Sequence, residues 1–230
     1  MATSGAIGQE AGPAQQAPPA PAGMANPAPW AVTAFATTSF MLGMYQTHML
    51  NNAGIPIVLP AAFFFGGLVQ IIVAVMEFSR GNLFGGAVFG TYGPFWVIVG
   101  AFDTIYAAGV PAVQANDANS LLLAVFAVIT FYLGIASLQH DIVLSAIIWL
   151  IFIGLVVLAV GAGANNVDIT EAGGWIVLLF AVLAWYHAAS CPLVSRSPAT
   201  NSPEELGVRS KPESDDSSPL ASYVSSVSSR

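Results

Sequence analysis

Asn26-Pro27-Ala28-Pro29-Trp30-Ala31-Val32-Thr33-Ala34-Phe35-Ala36-Thr37-Thr38-Ser39-Phe40-Met41-Leu42 closes a Pro/Ala-rich tail and opens the first long apolar run of the chain. Asn26 can accept from the free N–H groups of a helix's first turn. Pro27 and Pro29 lack N–H groups that would go unpaired there, and their fixed φ suits a helix entrance. Inside a membrane the same entrance is a positive dipole end aimed at whatever passes. Read alone, the stretch is first of all a plain helix start.

The composition around it decides the setting. Of the 230 residues, 56% are hydrophobic and 7% charged, against about 25% charged in a soluble domain. Such a chain cannot cover a water-facing surface, so it reads as a membrane protein. Its net charge of -7 sits mostly in tails and one loop, at Glu10, Asp168, Glu171, Glu204, Glu205, Glu213, Asp215 and Asp216, and points to no nucleic-acid partner. Cys191 is the single cysteine, so no intrachain disulfide forms, and a buried, inert thiol is expected. Residues 1–25 have neither a basic region nor an apolar core and are not a secretory signal; they read as a disordered tail.

Six apolar segments follow, at about 29–50, 56–78, 83–107, 118–138, 142–160 and 173–191. Each is long enough to cross roughly 30 Å of hydrocarbon as a helix. The runs are continuous and too long for barrel strands, so the expected fold is all-α, with six transmembrane helices in residues 26–191. Six crossings put both tails on one side. Arg80, Arg196, Arg209, Lys211 and Arg230 then share that face, while the opposite loops hold Asp117, Asp168 and Glu171. The positive-inside rule makes the tail face cytoplasmic. Trp30, Trp96, Trp175 and Trp185 fall toward segment ends, as interfacial aromatics do. Residues 192–230 are acidic and Ser/Pro-rich and read as a disordered cytoplasmic tail.

Few residues offer chemistry. Ionisable groups near a bilayer are costly and default to functional candidates. Glu77, three residues before Arg80, can pair with it on one helical face, as an ion pair or a gate. Asp103 either lines an outer vestibule or reaches for water; these two are the candidate proton or charge sites. His48 and His187 have no neighbour at metal-ligand spacing, and no metal or cofactor is called for. Gly81, Gly85, Gly86 and Gly90, with Gly66-Gly67, let helix backbones approach closely, within a protomer or between protomers. No catalytic motif is assembled, and no lysine lies in an apolar segment. An enzyme is not expected.

Several stretches together resemble one family. Asn26-Pro27-Ala28-Pro29 is similar to the signature of the acetate uptake transporter family, the YaaH-type or succinate–acetate permease group, although Trp30-Ala31-Val32 departs from its usual Leu-Gly-Leu. Phe64-Phe65-Gly66-Gly67-Leu68-Val69-Gln70, Glu77 through Gly85, and Thr91-Tyr92-Gly93-Pro94-Phe95-Trp96 match further motifs in order; Ala172-Gly173-Gly174-Trp175 matches loosely. The resemblance implies a six-helix protomer with its own central pore, assembled as a homohexamer in the plasma membrane. It implies passage of acetate or similar monocarboxylates, sometimes succinate, as anions or with protons. It also implies a hydrophobic constriction, carried over to Phe35, Tyr92 and, from the weaker fifth-helix match, Ile151. The Tyr92 hydroxyl, with Asn26, Thr37, Thr38, Ser39 and Gln70, then offers contacts to the carboxylate, or else hydrogen bonds between helices. Two other classes stay open: a non-transporting structural or sensing membrane protein, and an aquaporin-like channel. The latter needs two Asn-Pro-Ala copies and a filter arginine; one copy is present.

Overall fold

The computed structural model describes residues 25–194, apart from the side chains of Ala108 and of 191–194. The expectations for both tails, and for the Cys191 thiol, fall outside the described residues. Six long helices make up the described part: α1 Ala28–Gln46, α2 Asn52–Ser79, α3 Leu83–Tyr106, α4 Ala112–Ser137, α5 Ile142–Gly163 and α6 Val167–Val194. No strand occurs among the described residues. Five of them, α2 to α6, are long and apolar enough to cross a membrane. The exception, α1, is diluted by Thr33, Thr37, Thr38 and Ser39.

Most helix boundaries follow local caps, and these explain where the expected ones slip. Asn51 Oδ1 accepts from Ala53 N at 2.9 Å and starts α2 as a tight 3₁₀ turn at Asn52, earlier than Pro56. Asn166 Oδ1 accepts from Ile169 N at 3.1 Å. This starts α6 at Val167 and draws Asp168 and Glu171 out of the expected loop into the helix, Asp168 in its first turn, where an acid suits the dipole. Asp141 caps α5 through Leu144 N at 2.9 Å. At its other end α1 stops at Gln46, because Thr47 turns its backbone and hydroxyl back to Gly43 O and His48 takes φ 56°. The sharp connection after Arg80 is made at Gly81, with φ 78°, where a side chain would be strained.

The helices close a ring: α1 packs on α2 and α6, α2 on α3, α4 on α5 and α5 on α6, with α3 and α4 meeting most sparingly. The α2–α3 seam is tight. A Cβ on Gly86 would lie 2.4 Å from the Phe78 ring, and one on Gly66 would lie 2.8 Å from Trp96 Cγ. Part of α2, Ala61–Val69, is wound as a π-helix. Polarity runs inside out. Thr38, Ser39, Gln70, Glu77, Thr130, Ser137 and Ser145 are buried, while Phe64, Leu121, Val128, Ile142 and Leu179 lie exposed on the outside. That distribution suits a surface solvated by lipid rather than by water. Two tryptophans depart from their expected interfacial places. Trp96 is buried in the core, and Trp185 donates from Nε1 to Thr37 Oγ1 at 3.1 Å.

Candidate functional site

Two cavities lie inside the helix ring. The terminal cavity, of about 200 Å³, opens near the first turn of α1 and the last turns of α6; Ala28, Gln70, Asn82, His140 and His187 are among its lining residues. The distal cavity, of about 130 Å³, is lined toward the opposite face by Ser39, Gln46, Trp96, Asp103, Asn119 and Phe180, among others. Three residues line both cavities: Phe35, Tyr92 and Ile151. They come from α1, α3 and α5 and are 7%, 2% and 5% exposed, so they form an apolar septum between two chambers. Phe35 is at the centre of its aromatic packing, 5.3 Å from the Tyr92 ring and stacked on Phe180 at 5.7 Å.

The Tyr92 hydroxyl is already engaged. Thr130 gives its one hydroxyl proton to Phe126 O at 2.7 Å, so the 2.9 Å contact to Tyr92 is donated by Tyr92. It therefore offers a passing anion no free proton, contrary to the expectation above. Thr130 fixes the ring and went unremarked in the sequence because it looks like any helical threonine.

The remaining candidates divide. Ser39 and Asp103 line the distal cavity and Gln70 the terminal one. Gln70 Nε2 donates to Gly66 O at 2.6 Å. Thr37 and Thr38 line neither cavity; their hydroxyls donate to Thr33 O and Ala34 O. Asn26 and Glu77 also line neither. They belong instead to a polar clasp under the terminal face. Glu77, 1% exposed, accepts from Asn82 Nδ2 at 2.6 Å and faces Arg80 Nη1 at 3.6 Å. Arg80 Nη1 reaches across to Asn26 Oδ1 at 3.1 Å, and Asn26 Oδ1 also accepts from Ala28 N at 3.1 Å. Asn82 Oδ1 caps α3 through Gly85 N at 3.0 Å. The clasp thus ties the start of α1 to the α2–α3 turn. Asn82→Ala removes a cap, at a cost of about 1 kcal/mol, and strips a buried carboxylate of its shortest bond, for about 1–3 kcal/mol more. A clear fall in the thermal unfolding midpoint in detergent is expected; an unchanged midpoint would leave the clasp without structural weight.

At the mouth of the terminal cavity, His140 stacks on Phe84 at 4.1 Å, and His187 Nδ1 lies 3.7 Å from Asp141 Oδ1. Phe84, His140 and Asn82 were missed as lining residues, since a loop histidine and a cap asparagine carry no spacing signal for a cavity.

A ring of six helices, five of them long and apolar enough to cross a membrane, around two cavities defines an integral membrane protein. The chain belongs to the GPR1/FUN34/yaaH family, whose model matches residues 8–200. It is 32% identical over 172 residues to Accumulation of dyads protein 2 of Saccharomyces cerevisiae, covering 71% of this chain and 60% of that protein. It is 28% identical over 165 residues to the succinate-acetate/proton symporter SatP of Escherichia coli, covering 72% of this chain and 87% of that protein. The chain spans about 60% of the length of the yeast relatives it matches. Among solved structures it resembles the bacterial acetate channel SatP, with a TM-score of 0.70, 28% identity, and coverage of 76% of this chain and 95% of that one.

Proposed function

We propose that this protein passes acetate and similar small monocarboxylates across the membrane, through a bore whose constriction is Phe35, Tyr92 and Ile151. One observation carries the reading: these three side chains line both cavities. An apolar septum repels hydrated ions by dewetting and lets a methyl group through. The relatives support the substrate class, being named a succinate-acetate/proton symporter and an acetate channel. All six helices span the bilayer in this reading, α1 being shielded from lipid in part by α2 and α6. Arg80 lies at the α2–α3 turn beside the start of α1, and by the positive-inside rule this reading takes the terminal cavity and both termini as cytoplasmic. Plasma-membrane placement and assembly as a homohexamer follow from the family resemblance. Asp103, the acid lining the distal cavity, is the candidate for a co-transported proton; Glu77 is structural.

Uptake of radiolabelled acetate into proteoliposomes, with and without a pH gradient, tests this. Acetate flux well above empty liposomes is expected. Water flux without acetate flux would favour a water channel, and no flux of either kind a structural or sensing protein.

A further inference from the structure

We propose that Thr130 is a positioning residue that keeps the septum dry, by taking the proton of the Tyr92 hydroxyl. The inference deepens the transport reading and rests on it, since it takes Phe35, Tyr92 and Ile151 as the septum. Two of these side chains are hydrocarbon throughout. Tyr92 alone carries a polar tip, and it lines both cavities. An open hydroxyl in an apolar constriction gives water a foothold, and a passage closed by dewetting then fills.

The dependence between the two hydroxyls runs one way. Thr130 Oγ1 donates to Phe126 O at 2.7 Å, one turn back on its own helix. A helical threonine satisfies itself in this manner and needs nothing from Tyr92. Tyr92 Oη, by contrast, is engaged through Thr130 Oγ1 at 2.9 Å. The bond to the Phe126 carbonyl polarises the threonine and makes it the better acceptor. The contact crosses from α3 to α4, where neighbouring helices of the ring meet most sparingly.

The surroundings give the Thr130 hydroxyl no other task. On α4, Leu121, Val125, Val128 and Tyr132 are exposed, while Thr130 belongs to the buried stripe with Leu123, Ala127, Leu133 and Gly134. It is 0% exposed and lines neither cavity. Valine has the same shape and fills such a place; what it lacks is the acceptor. Because Thr130 lines neither chamber, its effect on permeation has to pass through Tyr92.

In Thr130→Val the phenol becomes a buried donor without a partner, and that costs more than the bond returned. The nearest substitute acceptor is water in the cavities that Tyr92 itself lines, so the septum wets. With phenylalanine at position 92 there is no donor to satisfy, and Thr130 keeps its own bond to Phe126 O.

Chloride efflux from proteoliposomes holding the full chain tests this, because chloride crosses only a wetted septum. Thr130→Val and Thr130→Ala should each raise efflux roughly tenfold, the worth of about one hydrogen bond. Thr130→Ser keeps the acceptor and should stay within about twofold of the wild type. On a Tyr92→Phe background, Thr130→Val should add no leak, the sign that the two residues act as one unit. Size-exclusion profiles select folded protein throughout. A leak that persists on that background, or that Thr130→Ser shares, overturns the inference. Acetate uptake by the wild type, with folded Thr130→Val tight to chloride, overturns it too and leaves the transport reading standing. The expected pattern of leaks in a protein that takes up no acetate does the reverse.

Discussion

Phe35→Ala should raise acetate flux roughly tenfold, equivalent to about 1.4 kcal/mol off the barrier, and should admit acids as large as butyrate. Phe35 lines both chambers and is the largest apolar side chain of the septum. Removing its ring joins cavities of about 130 and 200 Å³ and takes away the surface that dewets the passage. The same ring packs on Tyr92, Trp96 and Phe180, and truncating a buried Phe costs about 3–5 kcal/mol. Phe35→Leu therefore accompanies it, as a smaller change that keeps an apolar plug and should shift selectivity less. Uptake of a series of labelled monocarboxylates, normalised to folded protein by size-exclusion profile, reads the outcome. Unchanged selectivity in a folded Phe35→Ala protein would remove Phe35 from the pathway.

The helical architecture was legible because lipid leaves few choices: long, nearly charge-free runs must become helices. Boundaries were less so. Asn51 and Asn166 each pull a helix start outward into polar residues, and hydropathy cannot see a cap. In the site, the motifs around Phe35 and Tyr92 led to two residues that line both cavities, and the weaker placement of Ile151 fell on the third. Hydroxyls were the hard part. Thr37, Thr38 and Ser39 are consecutive and look alike in sequence. At about 100° per residue, however, they point in three directions. Ser39 alone is among the residues lining a cavity, while the other two bond their own helix. Glu77 read as a charge near the bilayer, and its burial against Asn82 and Arg80 makes it a clasp. Trp96 read as an interfacial anchor; only the packing of α2 against α3 puts it inside.

That packing supplies the second large effect, in which one chemical change at two nearby glycines should have opposite signs. A Cβ on Gly93 would lie 2.9 Å from Ile71 N and 3.0 Å from Gly67 O. Both are backbone atoms of α2, so no side-chain rotation relieves the clash and the two helices must part. Overpacking of this kind costs about 1–3 kcal/mol, more than the gain of up to ~1 kcal/mol from replacing a helical glycine with alanine. On Gly90, three residues earlier, the nearest atom to a Cβ would be Ala74 Cβ at 3.6 Å, an ordinary contact. There the propensity gain stands alone. Gly93→Ala should therefore lower the thermal unfolding midpoint in detergent and Gly90→Ala should hold or raise it. Because Gly93 adjoins Tyr92, parting α2 from α3 also shifts the septum, and acetate flux should fall with Gly93→Ala. A Gly93→Ala protein as stable as Gly90→Ala would mean that α2 and α3 do not approach this closely, and the seat of Trp96 would lose its support.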